Sequence, residues 1–157
     1  MSDPEGLEIA RRQIAEELQQ RTGFLDLGNL GLTEFPDEMW ELTHLQELSL
    51  GLWYLDNDGE LHSTVGQLKS NKLGGELGHL DCLLELRRLS LNDLEMVELS
   101  TLSGLTELQS LSFGSTPISD LAPLAGLAGL QSLDCNGTSV SDLAPLAGLA
   151  GLQSLDC

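Results

Sequence analysis

Residues Ser119–Cys135 read SDLAPLAGLAGLQSLDC, and Ser141–Cys157 repeat the same letters 22 positions later. An internal repeat this short constrains the fold more than any composition does. One copy cannot bury its own leucines, so copies must stack and share a continuous core. A chain built this way displays a surface and has no enclosed cleft, and this directs the search for function toward binding.

The period extends backwards through most of the chain. Its template is L-x-x-L-x-L-x-x-N-x-L, in which the middle residues form a short strand and the later ones turn the chain back. Leu108-x-x-Leu111-x-Phe113-x-x-Thr116-x-Ile118 and Leu130-x-x-Leu133-x-Cys135-x-x-Thr138-x-Val140 fit it, and Leu152-x-x-Leu155-x-Cys157 begins another copy. Leu86-x-x-Leu89-x-Leu91-x-x-Leu94-x-Met96 is in phase, as are Leu45-x-x-Leu48-x-Leu50 and Leu25-x-Leu27-x-x-Leu30-x-Leu32. Six parallel strands follow from this register. The ninth position, usually Asn, reads Leu30, Trp53, Leu94, Thr116 and Thr138. Only the threonines offer a side chain that bonds a neighbouring turn, so the edge of the first half is expected to lack its usual support.

The expected fold class is α/β: a leucine-rich-repeat solenoid, curved as a right-handed superhelix. A parallel sheet lies on its concave side, and short 3₁₀ or helical returns lie opposite. One domain spans 1–157, with a capping helix in 1–22, two repeats in 23–51, an insertion in 52–76 and regular repeats in 77–157. In the last returns Pro123 and Pro145 withhold an amide, which favours a turn or two of 3₁₀ over a long helix. In the first return Pro36 begins a short helix, with Asp37 and Glu38 favourably placed in its first turn.

Pro4–Arg21 reads as the capping helix. Ser2 and Glu5 form a capping box, and Leu7, Ala10, Ile14 and Leu18 share an apolar face opposite Glu8, Arg11, Arg12, Glu16 and Gln19. A partner-binding helix is the other reading of this segment.

The period is interrupted once. Phe113 to Leu121 and Leu27 to Phe35 are each 8 residues, whereas Leu50 to Leu77 is 27. The extra residues include Leu52–Ser63, where Asp58-Gly59 between alternating apolar residues signals a hairpin, followed by a loop through Gly75. Insertions in solenoids often map to the binding face. Trp53, Tyr54 and His62 are therefore candidate contact residues, the alternative being a surface excursion that tucks Trp53 and Tyr54 against the stack.

The net charge is −18, from 25 acidic and 7 basic side chains, and the last basic residue is Arg88. This sign repels phosphate backbones and offers nucleic acid no basic stripe. Anionic membranes are disfavoured for the same reason. The charge serves solubility or answers a basic protein partner. The opening residues lack a basic stretch followed by an apolar run, and no stretch approaches 18 apolar residues, so neither a signal peptide nor a membrane span is expected. Cys135 and Cys157 fall at equivalent repeat positions, where packing explains them better than oxidation. Cytoplasmic residence is the expectation.

No catalytic or cofactor-binding constellation emerges: G-x-x-x-x-G-K-[ST], G-x-S-x-G and H-E-x-x-H are all missing. His79 and Cys82 have a metal-like spacing without a second pair, which reads as an ordinary turn. Asp56, Asp58 and Glu60 resemble the start of a calcium loop but lack its downstream glutamate, so a hairpin tip is expected. His44 and His62 have no evident acid–base partners in the sequence. The chain is expected to be no enzyme and to need no cofactor or metal.

What remains is the concave face. Strand alternation aligns Asp26, Ser49, Ser90, Ser112, Asp134 and Asp156 in one column. Phe24, Glu47, Arg88, Ser110, Ser132 and Ser154 form a second, and Gly28, Gly51, Asn92, Gly114 and Asn136 a third. The first column and Arg88 are the candidate protein-binding residues. Their small, polar, mildly acidic character suits a flat or basic protein surface and lacks the aromatic and arginine anchors of tight interfaces.

The repeats ISDLAPLAGLAGLQSLDCNGTSVSDLAPLAGL resemble the 22-residue class of internalins and bacterial Roco proteins. The opening RTGFLDLGNLGLTEFPDEMWELTHLQELSL is similar to the start of the repeat region of Roco proteins, and the W-Y…D-x-D-G interruption resembles breaks in such prokaryotic repeats. The resemblance implies a protein-binding array. Internalins are exported, so the expected cytoplasmic location favours the Roco group, in which a GTPase and a dimerisation domain would follow. The function expected is a protein-interaction module, with the regulatory arm of a Roco-type GTPase as the alternative. The array is expected to be a fragment of a longer one, or to self-associate through its C-terminal end.

Overall fold

The computed structural model describes residues 1–157 apart from 57, 59, 65, 74, 75, 96 and 97, and leaves the side chains of 76 and 78 undescribed. It opens with helix α1 (Pro4–Gln20). The cap is Asp3, not the expected Ser2–Glu5 box: the Asp3 carboxylate accepts the Glu5 amide at 3.1 Å, and Pro4 occupies the first turn. Ser2 is used elsewhere, its hydroxyl accepting the Thr33 amide at 2.9 Å, which ties the start of the chain to the first repeat. Ala10 and Ile14 are fully buried against the stack, with Leu7 and Leu18 on the flanks. Gly6 lets the helix approach so closely that a Cβ there would lie 1.7 Å from the Leu30 carbonyl oxygen.

Six three-residue strands form a parallel sheet. They are β1 (Phe24–Asp26), β2 (Glu47–Ser49), β5 (Arg88–Ser90), β6 (Ser110–Ser112), β7 (Ser132–Asp134) and β8 (Ser154–Asp156), adjacent in that order. Leu25, Leu48, Leu89, Leu111, Leu133 and Leu155 share one row, so the register is the one the repeat template predicts. On one side of the sheet the leucines stack as a core, Leu27, Leu50, Leu91, Phe113 and Cys135 each being 1% exposed or less. Opposite lie 3₁₀ returns at Asp37–Glu41, Glu76–Cys82, Leu99–Leu102, Ala122–Gly126 and Ala144–Gly148. Pro36 caps the first of them, with Asp37 and Glu38 in its first turn as expected. Met96, read as a core position of the third repeat, lies outside the described residues.

A left-handed residue follows β1, β5, β6 and β7 at the same place. Asn29, Asp93, Ser115 and Gly137, each two positions after its core residue, have φ of 56°, 61°, 56° and 71°. Asn, Asp and Gly tolerate that conformation, and Ser115 adopts it at the equivalent place. The second repeat has Leu52 there, and Leu52 is not among the left-handed residues. At that point the chain leaves the repeat.

The interruption is a hairpin followed by a return strap. β3 (Trp53–Leu55) and β4 (Leu61–Ser63) pair antiparallel, with Tyr54 opposite His62. Asp56 closes the tip by accepting the Asp58 and Glu60 amides, both at 2.9 Å; Gly59, the expected turn glycine, lies outside the described residues. The chain then runs beside the first repeat. Leu68 N–H donates to the Asn29 carbonyl, Gly31 N–H to that of Lys69, and Lys72 N–H to that of Leu32, at 2.7–3.0 Å.

That path delivers Asn71 to the middle of the stack and corrects the ninth-position assignment. Asn71 is fully buried. Its Nδ2 donates to the carbonyls of Leu27 and Leu50 at 2.8 and 2.9 Å, and its Oδ1 accepts the amides of Leu30 and Leu32 at 3.3 and 2.8 Å. Asn71, not Trp53, is the asparagine of the second repeat, and it bridges two rungs. Edge support in the first half is present, supplied from beyond the insertion.

Cys135 and Cys157 stand at equivalent positions after β7 and β8, with Cα atoms 4.6 Å apart, a spacing at which a disulfide can form. The parallel register stacks side chains at equivalent positions, so two thiols 22 residues apart face each other.

Candidate interaction surface

The concave columns align as the sequence predicts, but the hairpin divides them. Tyr54 lies over β1, its ring centroid 5.3 Å from that of Phe24 and stacked at 5.4 Å on His62. Ser90 Oγ and Asn92 Nδ2 both donate to the Trp53 carbonyl, at 2.7 and 3.1 Å. Asn92 also reaches the hydroxyls of Ser90 and Ser112, and its Oδ1 accepts the Gly114 amide at 2.7 Å. This buried amide clamps the hairpin to two strands. Close approach is possible because the third column begins with glycines: a Cβ on Gly28 would lie 2.1 Å from the Gly51 oxygen, and one on Gly51 would lie 2.2 Å from the Asn92 oxygen.

The candidate residues consequently separate into two groups. Asp26, Ser49 and Ser90 are buried, so their expected role as open contact residues is corrected. The hairpin, 27 to 37 residues from Asp26 and from Ser90 along the chain, covers what strand alternation alone would leave open. Asp26 Oδ1 accepts the Gly28 amide at 2.9 Å. Arg88 is half-buried and donates to Glu47, so the one basic residue of these columns is already paired. Ser112 and Asp134 are half-buried and Asp156 is exposed, which leaves the accessible part of the sheet at β6, β7 and β8. Trp53, Tyr54 and His62 are half-buried, while Leu55 and Leu61 on the same hairpin are exposed.

Between hairpin and sheet lies a shallow cleft that opens to solvent. Phe24, Tyr54 and Leu55 form its apolar wall, and Ser110, Ser112, Ser132 and Asp134 its polar floor. A wider groove continues past Leu55 to Gln46, Gln109 and Gln131 at the edge where the strands begin. Burial raises the Tyr54 hydroxyl above its ordinary pKa, reinforced by the negative charges of Asp26, Asp56 and Glu47.

The hairpin carries one charged lock. His62 Nε2 and Asp56 Oδ2 are 2.7 Å apart, and this bond together with the Glu60 amide holds the Asp56 carboxyl below its ordinary range. Asp56, Glu60 and His62 bring ligand-type atoms within 4.8 Å of one another, the one such trio among the described residues. Asp56 already spends both oxygens inside the hairpin, a structural use of the cluster. On the opposite face the His79 ring meets Trp40 at 5.3 Å, and Cys82 is an exposed thiol 3.6 Å from Asp81.

Sequence reasoning did not find the pairing of Glu17 with His44. Glu17 is 5% exposed on the inner face of α1. Its carboxylate accepts the Thr22 amide and hydroxyl, the Gly23 amide at 2.7 Å, and a bond with His44 Nε2 at 2.9 Å. Burial alone would raise this carboxyl, but the bonds from Thr22, Gly23 and His44 outweigh it and leave it below the ordinary value.

No protein-family model matches the chain, and no curated protein matches it. Solved structures do. An internalin (inlF) of Listeria monocytogenes superposes with a TM-score of 0.71 over 98% of this chain at 23% identity, and a leucine-rich-repeat protein of Leptospira interrogans with 0.66 over 90% at 24%. The fold is a leucine-rich-repeat solenoid. Internalin C2 of Listeria monocytogenes matches at a TM-score of 0.50, with 22% identity over 99% of this chain. The solenoid spans 42% of the length of the first of these proteins and 33% of the Leptospira protein. Among the described residues, none of its helices is long and apolar enough to cross a membrane.

Proposed function

We propose that this solenoid is a protein-interaction module that engages its partner on the open half of the concave face, over β6, β7 and β8, with the exposed edge of the hairpin. The observation that carries this reading is the division of the face. Asn92 and Ser90 anchor the hairpin over the first strands, while Ser110, Ser112, Ser132, Asp134, Ser154 and Asp156 stay accessible beside exposed Leu55 and Leu61. A rigid polar sheet beside an apolar edge is the composition of a protein contact surface. The likeness to internalin and leucine-rich-repeat structures supports the same class of function.

The test uses bulk. Ser132→Trp and Ser154→Trp place a large ring on the open strands without touching the core. Immobilised chain, incubated with lysate of its source organism, should retain a discrete partner that the double variant loses while keeping its circular-dichroism spectrum. A partner held equally by both would place recognition on another face.

A second proposal, the regulatory arm of a Roco-type GTPase, draws on the resemblance of the opening residues and on the interruption, which is a hairpin with Trp53 and Tyr54 in its first strand. Reading the gene onward from the codon for Cys157 tests it: a GTPase domain in frame supports it, and a stop codon removes it.

A further inference from the structure

The cleft between hairpin and sheet has a charge pattern that selects its occupant. Asp134 and Asp156 stand side by side on adjacent strands, where neighbouring chains run about 4.8 Å apart. Asp134 uses one oxygen on the Asn136 amide, which keeps its carboxylate oriented. Among the described residues, no cation pairs with either aspartate: Arg88 also lines the cleft, but its guanidinium is committed to Glu47, and the remaining ion pairs lie elsewhere. The approach to Asp134 passes between the apolar wall of Tyr54 and Leu55 and the hydroxyls of Ser110 and Ser132. At the far edge the groove is lined by the carboxamides of Gln109 and Gln131, which donate and accept as a peptide backbone requires, and by Arg87, which repels a cation from that end.

From this arrangement, and resting on the protein-interaction reading above, we propose that the cleft receives an arginine side chain from an extended segment of the partner. The guanidinium pairs with Asp134 and the aliphatic stem lies against Leu55 and Tyr54. A planar, permanently charged fork fits an oriented carboxylate flanked by hydroxyl acceptors, and its weak hydration makes it the cation best suited to a half-buried cleft. The stem covers apolar surface that the hairpin otherwise leaves in water.

The probe is the capped peptide acetyl-Gly-Gly-Arg-Gly-Gly-amide, titrated to millimolar concentration into isotope-labelled full chain and followed by amide chemical shifts. Saturable shifts are expected at Tyr54, Leu55, Ser110, Ser132 and Asp134. Replacing arginine by citrulline, which keeps the shape and removes the charge, should weaken binding at least about tenfold, and Asp134→Asn should do the same while preserving the bond to the Asn136 amide. Absence of saturable shifts, shifts confined to another face, or equal binding of the citrulline peptide would overturn the proposal. Loss of the lysate partner in the Ser132→Trp, Ser154→Trp variant alongside such a negative result would leave the interaction-module reading standing and remove the arginine pocket alone.

Discussion

Glu17→Gln keeps the size of the side chain and removes the charge on which three bonds from Thr22 and Gly23, and one with His44, converge. We expect it to cost roughly 1.5–3 kcal/mol, the range for a buried hydrogen bond to a charged group, read from urea unfolding. The pH dependence has a definite sign. The folded carboxyl is held below its unfolded value of 4.5, so its contribution is complete above that value and disappears as pH falls through the folded pKa. The stability gap between native chain and variant should close as pH falls below 4.5; a gap that persisted in strong acid would contradict the assignment. Asn71 makes a sharper case because it bonds both ways. Asn71→Asp retains the acceptor for Leu30 and Leu32 but cannot donate to the buried carbonyls of Leu27 and Leu50. Asn71→Asp should therefore destabilise about as much as Asn71→Ala, by about 3 kcal/mol or more, since stranded buried polar groups cost about 1–3 kcal/mol each. A near-neutral Asp variant would mean that those carbonyls find other donors.

The hairpin is an insertion placed inside a motif, and its boundaries are set by chemistry. Removing residues 53–70 joins Leu52 to Asn71, restoring the two-residue gap between Leu50 and the asparagine that regular repeats have. We expect this excised chain to fold with an unchanged sheet, whereas excision through Asn71 should lower the urea midpoint. Hydrogen exchange at the Leu30 and Leu32 amides distinguishes the two, remaining slow only where Asn71 is kept. Part of this was legible beforehand. Leu52, where the other described repeats carry Asn, Asp, Ser or Gly with positive φ, already signals that the turn is abandoned at that residue. Asn71-Lys72-Leu73 spells the missing N-x-L. Trp53 holds the ninth place only by distance from Leu50, whereas the motif itself resumes at Asn71.

In a solenoid each rung contacts only its neighbours, so stability varies along the axis. Leu111 and Leu133 are each 1% exposed, and truncation of either to Ala should cost about 2–5 kcal/mol. Leu155 is 43% exposed, and Leu155→Ala should cost less than about 1 kcal/mol. Urea midpoints of the three variants test this gradient; equal losses would show that the last rung is as well covered as the interior. Strand positions, their parallel order and the three concave columns were determined by sequence alone. Each follows from a period that assigns every residue a direction relative to its own rung, and repetition copies that assignment down the stack. Which polar groups the stack leaves open was decided only in three dimensions. Asp26, Ser49 and Ser90 are in phase with Ser112 and Asp134, yet they are buried because a hairpin outside the period folds back over them. Glu17 meets His44, and Asn71 meets Leu27 and Leu50, across separations of 27, 44 and 21 residues. Such contacts carry no periodic signature. They depend on where non-repeating segments come to rest on a repeating surface, and the arginine cleft proposed here exists for the same physical reason.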